Sequence, residues 1–148
     1  MRMASSDDLL LDNQLCFALY STSLLMTKVY KPLLSKLDLT YPQYLAMLSL
    51  WETDGLTVSE LSSRMLTDPG SVTPLLKRLE NEGLISRTRS SRDERVVELR
   101  LTDKGRQLKQ KADDIPQCIL NACDIDRKSL ARLRQQVVDL RQRLQRSV

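Results

Sequence analysis

Two helix-start signals stand eleven residues apart in the middle of this chain, and they constrain its fold more than any bulk property. The first is Thr57-Val58-Ser59-Glu60, a capping box. Thr57 accepts from the backbone N–H three residues on, and Glu60 reaches back to the N-cap N–H. The second is Thr67-Asp68-Pro69-Gly70. Asp68 suits the N-cap, and Pro69 suits the first helical position, where its missing N–H costs nothing. The space between them admits only a short helix, ending near Leu66. Beyond the second signal, Val72, Leu75, Leu76 and Leu79 line one side of a longer helix, which Gly83 stops. From Leu84 to Leu101 the pattern changes to period two around a polar tip, Ser90 to Arg95, as in a two-stranded hairpin. A short helix, a tight turn, a longer helix and a hairpin make a winged helix-turn-helix.

The flanks are helical. Residues 8 to about 36 carry Leu11, Leu15, Ala18 or Leu19, and Leu25 or Met26 at helical spacing, interrupted near the start by Asp12, Asn13 and Gln14, with Pro32 placed to kink or end the helix. Thr40 is an N-cap and Pro42 a first-turn residue. The helix they open carries Tyr44, Leu45, Leu48 and Trp51 inward and stops near Asp54-Gly55. Thr102-Asp103-Lys104-Gly105 opens a further helix, whose pattern Pro116 interrupts without having to end it. The last helix, about 125 to 146, repeats Leu130, Leu133, Val137, Leu140 and Leu144 at spacings of three and four. The expected fold is mainly α with a small β-hairpin wing. Residues 37–102 form the DNA-binding winged helix-turn-helix. Residues 1–36 and 103–148 form a helical dimerisation region, because their apolar stripes exceed what a compact winged domain needs. A symmetric homodimer would interlock them and set two recognition helices about one DNA turn apart.

The net charge of +4 is modest, but its placement is informative. From Arg87 to Lys111 there are nine basic and four acidic residues, a difference of +5, which exceeds the whole chain's net charge. A concentrated basic segment suits phosphate, since each neutralised phosphate releases counterions. On the second helix of the pair, Ser71 and Thr73 are small enough to approach base edges, while Lys77 and Arg78 lie further along, where the backbone passes. At the hairpin tip Arg92 and Arg95 suit a narrow minor groove, and Asp93 suits bracing an arginine. The blander alternatives are ordinary helix-start chemistry for Ser71 and Thr73, and a solvated tip of mixed charge for the hairpin. The expected partner is double-stranded DNA, at a pseudo-palindromic site.

Several classes of function are disfavoured. The chain contains no histidine, which removes Ser-His and Cys-His catalysis and histidine-bearing metal sites. Its three cysteines, Cys16, Cys118 and Cys123, are an odd number and do not suggest a secreted disulfide framework. No metal and no cofactor are expected. No apolar run approaches the roughly 20 residues that cross a bilayer. Asp7 and Asp8 stand where a signal peptide would be basic, so a soluble cytoplasmic protein with no membrane partner is expected.

Leu56 to Leu61, Val72 to Ile85, Arg92-Asp93-Glu94-Arg95 and Leu101-Thr102-Asp103-Lys104-Gly105 together resemble the MarR family of bacterial regulators. A narrower similarity runs through Leu11 to Ser21, Tyr30 to Leu34 and Leu39 to Tyr44, which look like the organic hydroperoxide resistance regulators. That resemblance implies a repressor whose peroxide-sensing thiol matches Cys16. It implies that tyrosines matching Tyr30 and Tyr41 hydrogen-bond the thiol across the dimer, and that oxidation by organic hydroperoxide releases the operator. Without it, Cys16 reads as a small buried core residue. Some members resolve the oxidised thiol with a cysteine from the partner's C-terminal region, and others with an external small thiol. Here a gapless count lands on Asn121, flanked by the two candidates Cys123, at a helix junction, and Cys118. Both also fit inert core positions. Two other functions remain open on the residues. One is a MarR-type repressor released by a small phenolic or drug-like ligand without cysteine chemistry. The other is a thiol peroxidase, which would leave the winged block unexplained.

Overall fold

The structure, a computed structural model, describes residues 6–148. Its described residues fall into two compact units, one ending at Ala112 and one spanning Asp113–Val148. In the first unit two 3₁₀ turns, Ser6–Leu9 and Leu11–Asn13, precede α1 (Leu15–Ser35). There follow α2 (Tyr41–Glu52), α3 (Val58–Arg64), α4 (Pro69–Asn81), β1 (Ile85–Arg89), β2 (Val97–Leu101) and α5 (Asp103–Lys111). The second unit holds α6 (Ile115–Cys123) and α7 (Arg127–Ser147).

Local chemistry sets most of the helix starts. Thr40 with Gln43, and Thr57 with Glu60, form complete capping boxes on α2 and α3. Asp68 caps α4 with Pro69 in its first turn, Thr102 caps α5 by accepting from Gly105 N, and Asp126 caps α7. Gly83 follows α4 with φ of 76°, the left-handed geometry that glycine adopts without a Cβ penalty.

Three expectations need correction. The periodic stretch 8–36 is not helical throughout, since α1 begins only at Leu15. The Asn13 side chain donates to Asp7 O, and Gln14 donates to Asp8 O and Leu10 O, so side-chain amides hold turns in place of the helical ladder. Pro32 then lies inside α1 without ending it. Second, the helix opened at Thr102 does not continue through Pro116. Pro116 lacks an N–H, and its ring would meet the carbonyl of Ala112 four residues back. The chain breaks at Ala112–Asp114, and Pro116 sits in the first turn of α6. Third, the inner face of α2 is Gln43, Tyr44, Ala46, Met47 and Leu50, whereas Leu48 is 41% exposed.

The core of the first unit unites α2, α3, α4 and the hairpin. Met47, Leu50, Leu56, Leu61, Val72, Leu76, Leu79, Ile85 and Leu99 are essentially inaccessible to solvent. The strands pair antiparallel with Ile85 opposite Leu101 and Arg89 opposite Val97. The other edge of β2 is covered too. Leu99 N donates to Leu56 O at 2.8 Å, and Leu101 N donates to Asp54 Oδ1 at 2.9 Å. The α2–α3 connector therefore bridges to β2, with Thr57 opposite Glu98, and holds the wing from behind.

Two elements keep their apolar faces in solvent. Leu15, Leu19, Tyr20, Leu24 and Leu25 of α1 are exposed, and Leu34 is its one buried residue. No residue of α7 is buried, and Leu133, Val137 and Leu144 of its stripe are exposed. Exposed apolar faces of this extent mark interaction surfaces.

Candidate functional site

The α3–turn–α4 pair presents one long exposed helix face. Val72, Leu76 and Leu79 anchor α4 in the core, which turns Ser71, Thr73, Lys77 and Arg78 to solvent together. The face is held rigidly against the wing. Glu80 Oε1 accepts from Arg87 Nη2 at 3.0 Å and from Nε at 3.2 Å, joining α4 to β1. These bonds hold the Glu80 carboxyl below its ordinary range.

The wing tip is ordered by its own charges. Asp93 accepts from Arg95 Nε at 3.2 Å and Nη2 at 3.3 Å, and also from Arg95 N. The Arg95 side-chain bonds come first among the causes that depress the Asp93 carboxyl, followed by its backbone N–H. Arg89 spans the tip to Glu94 O at 2.7 Å. Arg92 and Arg95 are both exposed. Asp93 thus braces Arg95 in a two-toothed geometry while leaving the guanidinium in solvent.

The wing base depends on contacts that pattern reading missed. Thr102 Oγ1 donates to Gly83 O at 2.6 Å, and Trp51 Nε1 donates to Gly105 O at 2.9 Å. Arg106 pairs with Asp103 and, at 3.7 Å, with Asp54. Tyr41, Tyr44 and Trp51 share spacings of three and seven on α2, a helical-face signal that would have grouped them.

Cys16 is exposed, not the buried core residue its apolar neighbours suggest. It is the second residue of α1, in the helix's first turn. Tyr30 and Tyr41 meet with ring centroids 4.9 Å apart, and Tyr44 joins them at 6.0 Å from Tyr30. Burial pushes the Tyr41 phenol above its ordinary value, and burial followed by the neighbouring Tyr41 does the same to Tyr44. These two phenols are therefore protonated donors at neutral pH. Cys16 and Tyr30 are fourteen residues apart on one straight element, about 21 Å along the axis, so they do not meet within a protomer. Cys118 and Cys123 lie five apart on α6, partly exposed. Helix geometry sets their Cα atoms about 8.7 Å apart, too far to bridge each other. Each thiol remains available to a different partner. Among the described residues no cluster of side chains suits a metal ion.

Comparison with known proteins identifies relatives of the chain. Residues 28–112 match the family described as transcriptional regulator SarA/Rot. The organic hydroperoxide resistance transcriptional regulator of Bacillus subtilis (strain 168) is 56% identical over 114 residues, covering 77% of this chain and 78% of that protein. AbfR, a protein of Staphylococcus epidermidis, is similar in two solved states. Its reduced DNA-bound structure is 30% identical with a TM-score of 0.78, covering 93% of this chain and 94% of AbfR. Its disulfide-formed structure is 33% identical with a TM-score of 0.65, covering 88% and 91%. The fold is shared with MarR of E. coli at a TM-score of 0.70 and 22% identity, over 86% of this chain and 96% of MarR. The chain belongs to the SarA/Rot family of transcriptional regulators, in the branch of the organic hydroperoxide resistance regulators.

Proposed function

We propose that this chain is a homodimeric, DNA-binding repressor that releases its operator when an organic hydroperoxide oxidises Cys16. The observation that carries the reading is the exposed thiol at one end of α1 and the stacked phenols at the other. A twofold axis through the middle of α1, at Ser23, pairs residues whose numbers sum to 46. It sets Cys16 of one protomer beside Tyr30 of its partner and turns the exposed Leu19 and Tyr20, on the same helix face, toward the seam. The phenols of Tyr30 and Tyr41 then donate to the Cys16 thiolate.

The chemistry balances without a cofactor. The thiolate attacks the terminal peroxide oxygen, the O–O bond breaks, and the alkoxide leaves as an alcohol after taking a proton from water. Cys16 becomes a sulfenic acid. A thiol then attacks its sulfur and expels water, leaving a disulfide. Cys123 or Cys118 of the partner supplies that thiol, or a small external thiol does. Oxidation of Cys16 thereby acts as a switch on DNA binding. Disulfide formation moves the terminal helices, α1 and α5 to α7. The DNA-binding regions, residues 37–102, then lose the spacing that a pseudo-palindrome requires. In DNA, Ser71 and Thr73 approach base edges, Lys77 and Arg78 meet phosphates, and Arg92 and Arg95, with Asp93 as brace, enter the minor groove.

The protein acts where its DNA is, in the cytoplasm. Among the described residues no helix is long and apolar enough to cross a membrane. A cleft of about 880 Å³ between the α1–α2 loop, α4 and α5 is rimmed by Lys36, Arg78, Lys104, Lys111, Asp38 and Glu82. A charged rim of this kind does not suit an apolar inducer. The test is operator binding by fluorescence anisotropy with and without cumene hydroperoxide. Wild type is expected to let go, and Cys16→Ser to bind equally well and stay bound. Oxidative release from Cys16→Ser would remove the sensor assignment.

A further inference from the structure

The exposed face of α4 has an unusual hydrogen-bonding polarity. The Asp68 carboxylate only accepts, so the Ser71 hydroxyl, 3.1 Å from Asp68 Oδ2, must donate its proton there. The Pro69 carbonyl only accepts, so the Thr73 hydroxyl, 3.0 Å away, must donate its proton there. Both hydroxyls are left with lone pairs facing outward. Pro74 adds to this. It lies inside α4 and is exposed, and it has no N–H to give to the carbonyl of Gly70 one turn earlier. The Gly70 carbonyl loses its helical donor on the same exposed side, opposite the buried Val72, Leu76 and Leu79. Helix-interior proline is costly against alanine, yet α4 continues to Asn81 around it.

We propose that Pro74 is a specificity-determining residue: it frees the Gly70 carbonyl as a third acceptor beside Ser71 Oγ and Thr73 Oγ1, and this acceptor face reads base amines in the major groove. In that groove the amine donors are adenine N6 and cytosine N4; guanine and thymine edges offer acceptors there. The inference rests on the DNA-binding reading and assigns the kind of base edge that α4 selects.

The test uses the reduced full-length homodimer and the duplex it enriches from a random library. Each adenine is replaced in turn by purine, which lacks the N6 amine, and each cytosine by 2-pyrimidinone, which lacks the N4 amine. Dissociation constants are measured by anisotropy for wild type, Pro74→Ala and Thr73→Val. Wild type is expected to lose about tenfold at one or more positions per half-site, and the analogue responsible tells adenine from cytosine. Pro74→Ala restores a donor to Gly70. It is expected to bind the unmodified duplex about tenfold more weakly, to lose less than twofold further at one of those positions, and to melt at or above the wild-type temperature. Thr73→Val is expected to lose discrimination at a neighbouring position. The proposal is overturned if no amine deletion weakens wild type, or if both variants discriminate as wild type does. Failure of wild type to enrich any sequence would instead remove the DNA-binding reading beneath it.

Discussion

Gly105 is the position where the smallest change should do the most damage. A Cβ built there would lie 2.1 Å from the carbonyl oxygen of Leu84 and 3.3 Å from Leu101 Cδ2. The first obstacle is backbone, so no side chain can rotate away. Reaching ordinary contact, roughly 3.5 Å, requires the start of α5 to retreat by over an ångström. Trp51 Nε1 to Gly105 O is 2.9 Å and Thr102 N to Leu84 O is 3.1 Å. Stretched by that much, both leave hydrogen-bond range. Each is worth about 1 kcal/mol net, and the residual crowding adds about 1–3 kcal/mol. Gly105→Ala is therefore expected to cost about 3 kcal/mol, which for a chain of this size lowers Tm by roughly 10 °C. The control is Gly83→Ala. There φ is 76° and nothing lies within 4 Å of the added carbon, so only the left-handed backbone penalty of about 1–2 kcal/mol applies. Circular dichroism melts at one fixed protomer concentration make the comparison. If Gly105→Ala melts at or above Gly83→Ala, the close approach of α5 to Leu84 is wrong.

Three other outcomes are expected. Tyr41→Phe keeps the ring stack with Tyr30 but removes a protonated donor, so operator binding is unchanged while oxidation slows about tenfold, read by stopped-flow anisotropy against hydroperoxide. The Asp68 carboxyl is depressed chiefly by Ser71 N–H and then by the Ser71 hydroxyl, so its contribution is complete above the unfolded carboxylate value and is lost as pH falls through the lower folded one. Asp68→Asn keeps a cap but cannot titrate, and its Tm should change less than wild type's between pH 5 and pH 3. Arg78→Ala should reduce the slope of log affinity against log salt by about 2 per dimer, one phosphate per protomer, with no change in base preference.

The parts of the fold that were legible in the residues are those set by local chemistry. Thr40, Thr57 and Asp68 cap helices because their side chains answer an N–H three residues away, and such a signal lies within one short stretch. The hairpin was legible because a buried face imposes period two on Leu99 and Leu101. What escaped was long-range. Asp54 reaches Leu101 N across 47 residues, and Trp51 reaches Gly105 O across 54. No periodicity encodes either contact. The break at Ala112–Asp114 escaped because proline is compatible with both a kinked helix and a new first turn, and packing decides between them. Cys16 had a functional meaning only through its resemblance to a family. By composition alone a cysteine among leucines looks like core, and only the fold shows that its helix keeps that face exposed. A cross-dimer contact between Cys16 and Tyr30 depends on where a twofold axis falls, which sequence spacing does not specify.

The most direct test follows two events in one reaction. Reduced protein bound to fluorescent operator is mixed with cumene hydroperoxide. Anisotropy records release, while samples quenched with dimedone and a thiol-blocking reagent are mapped by mass spectrometry under non-reducing conditions. Loss of the free Cys16 thiol, through sulfenic acid to disulfide, is expected to accompany release with the same dependence on hydroperoxide concentration. Operator released while Cys16 is still a free thiol, or operator retained after Cys16 has formed its disulfide, would refute Cys16 as the sensor.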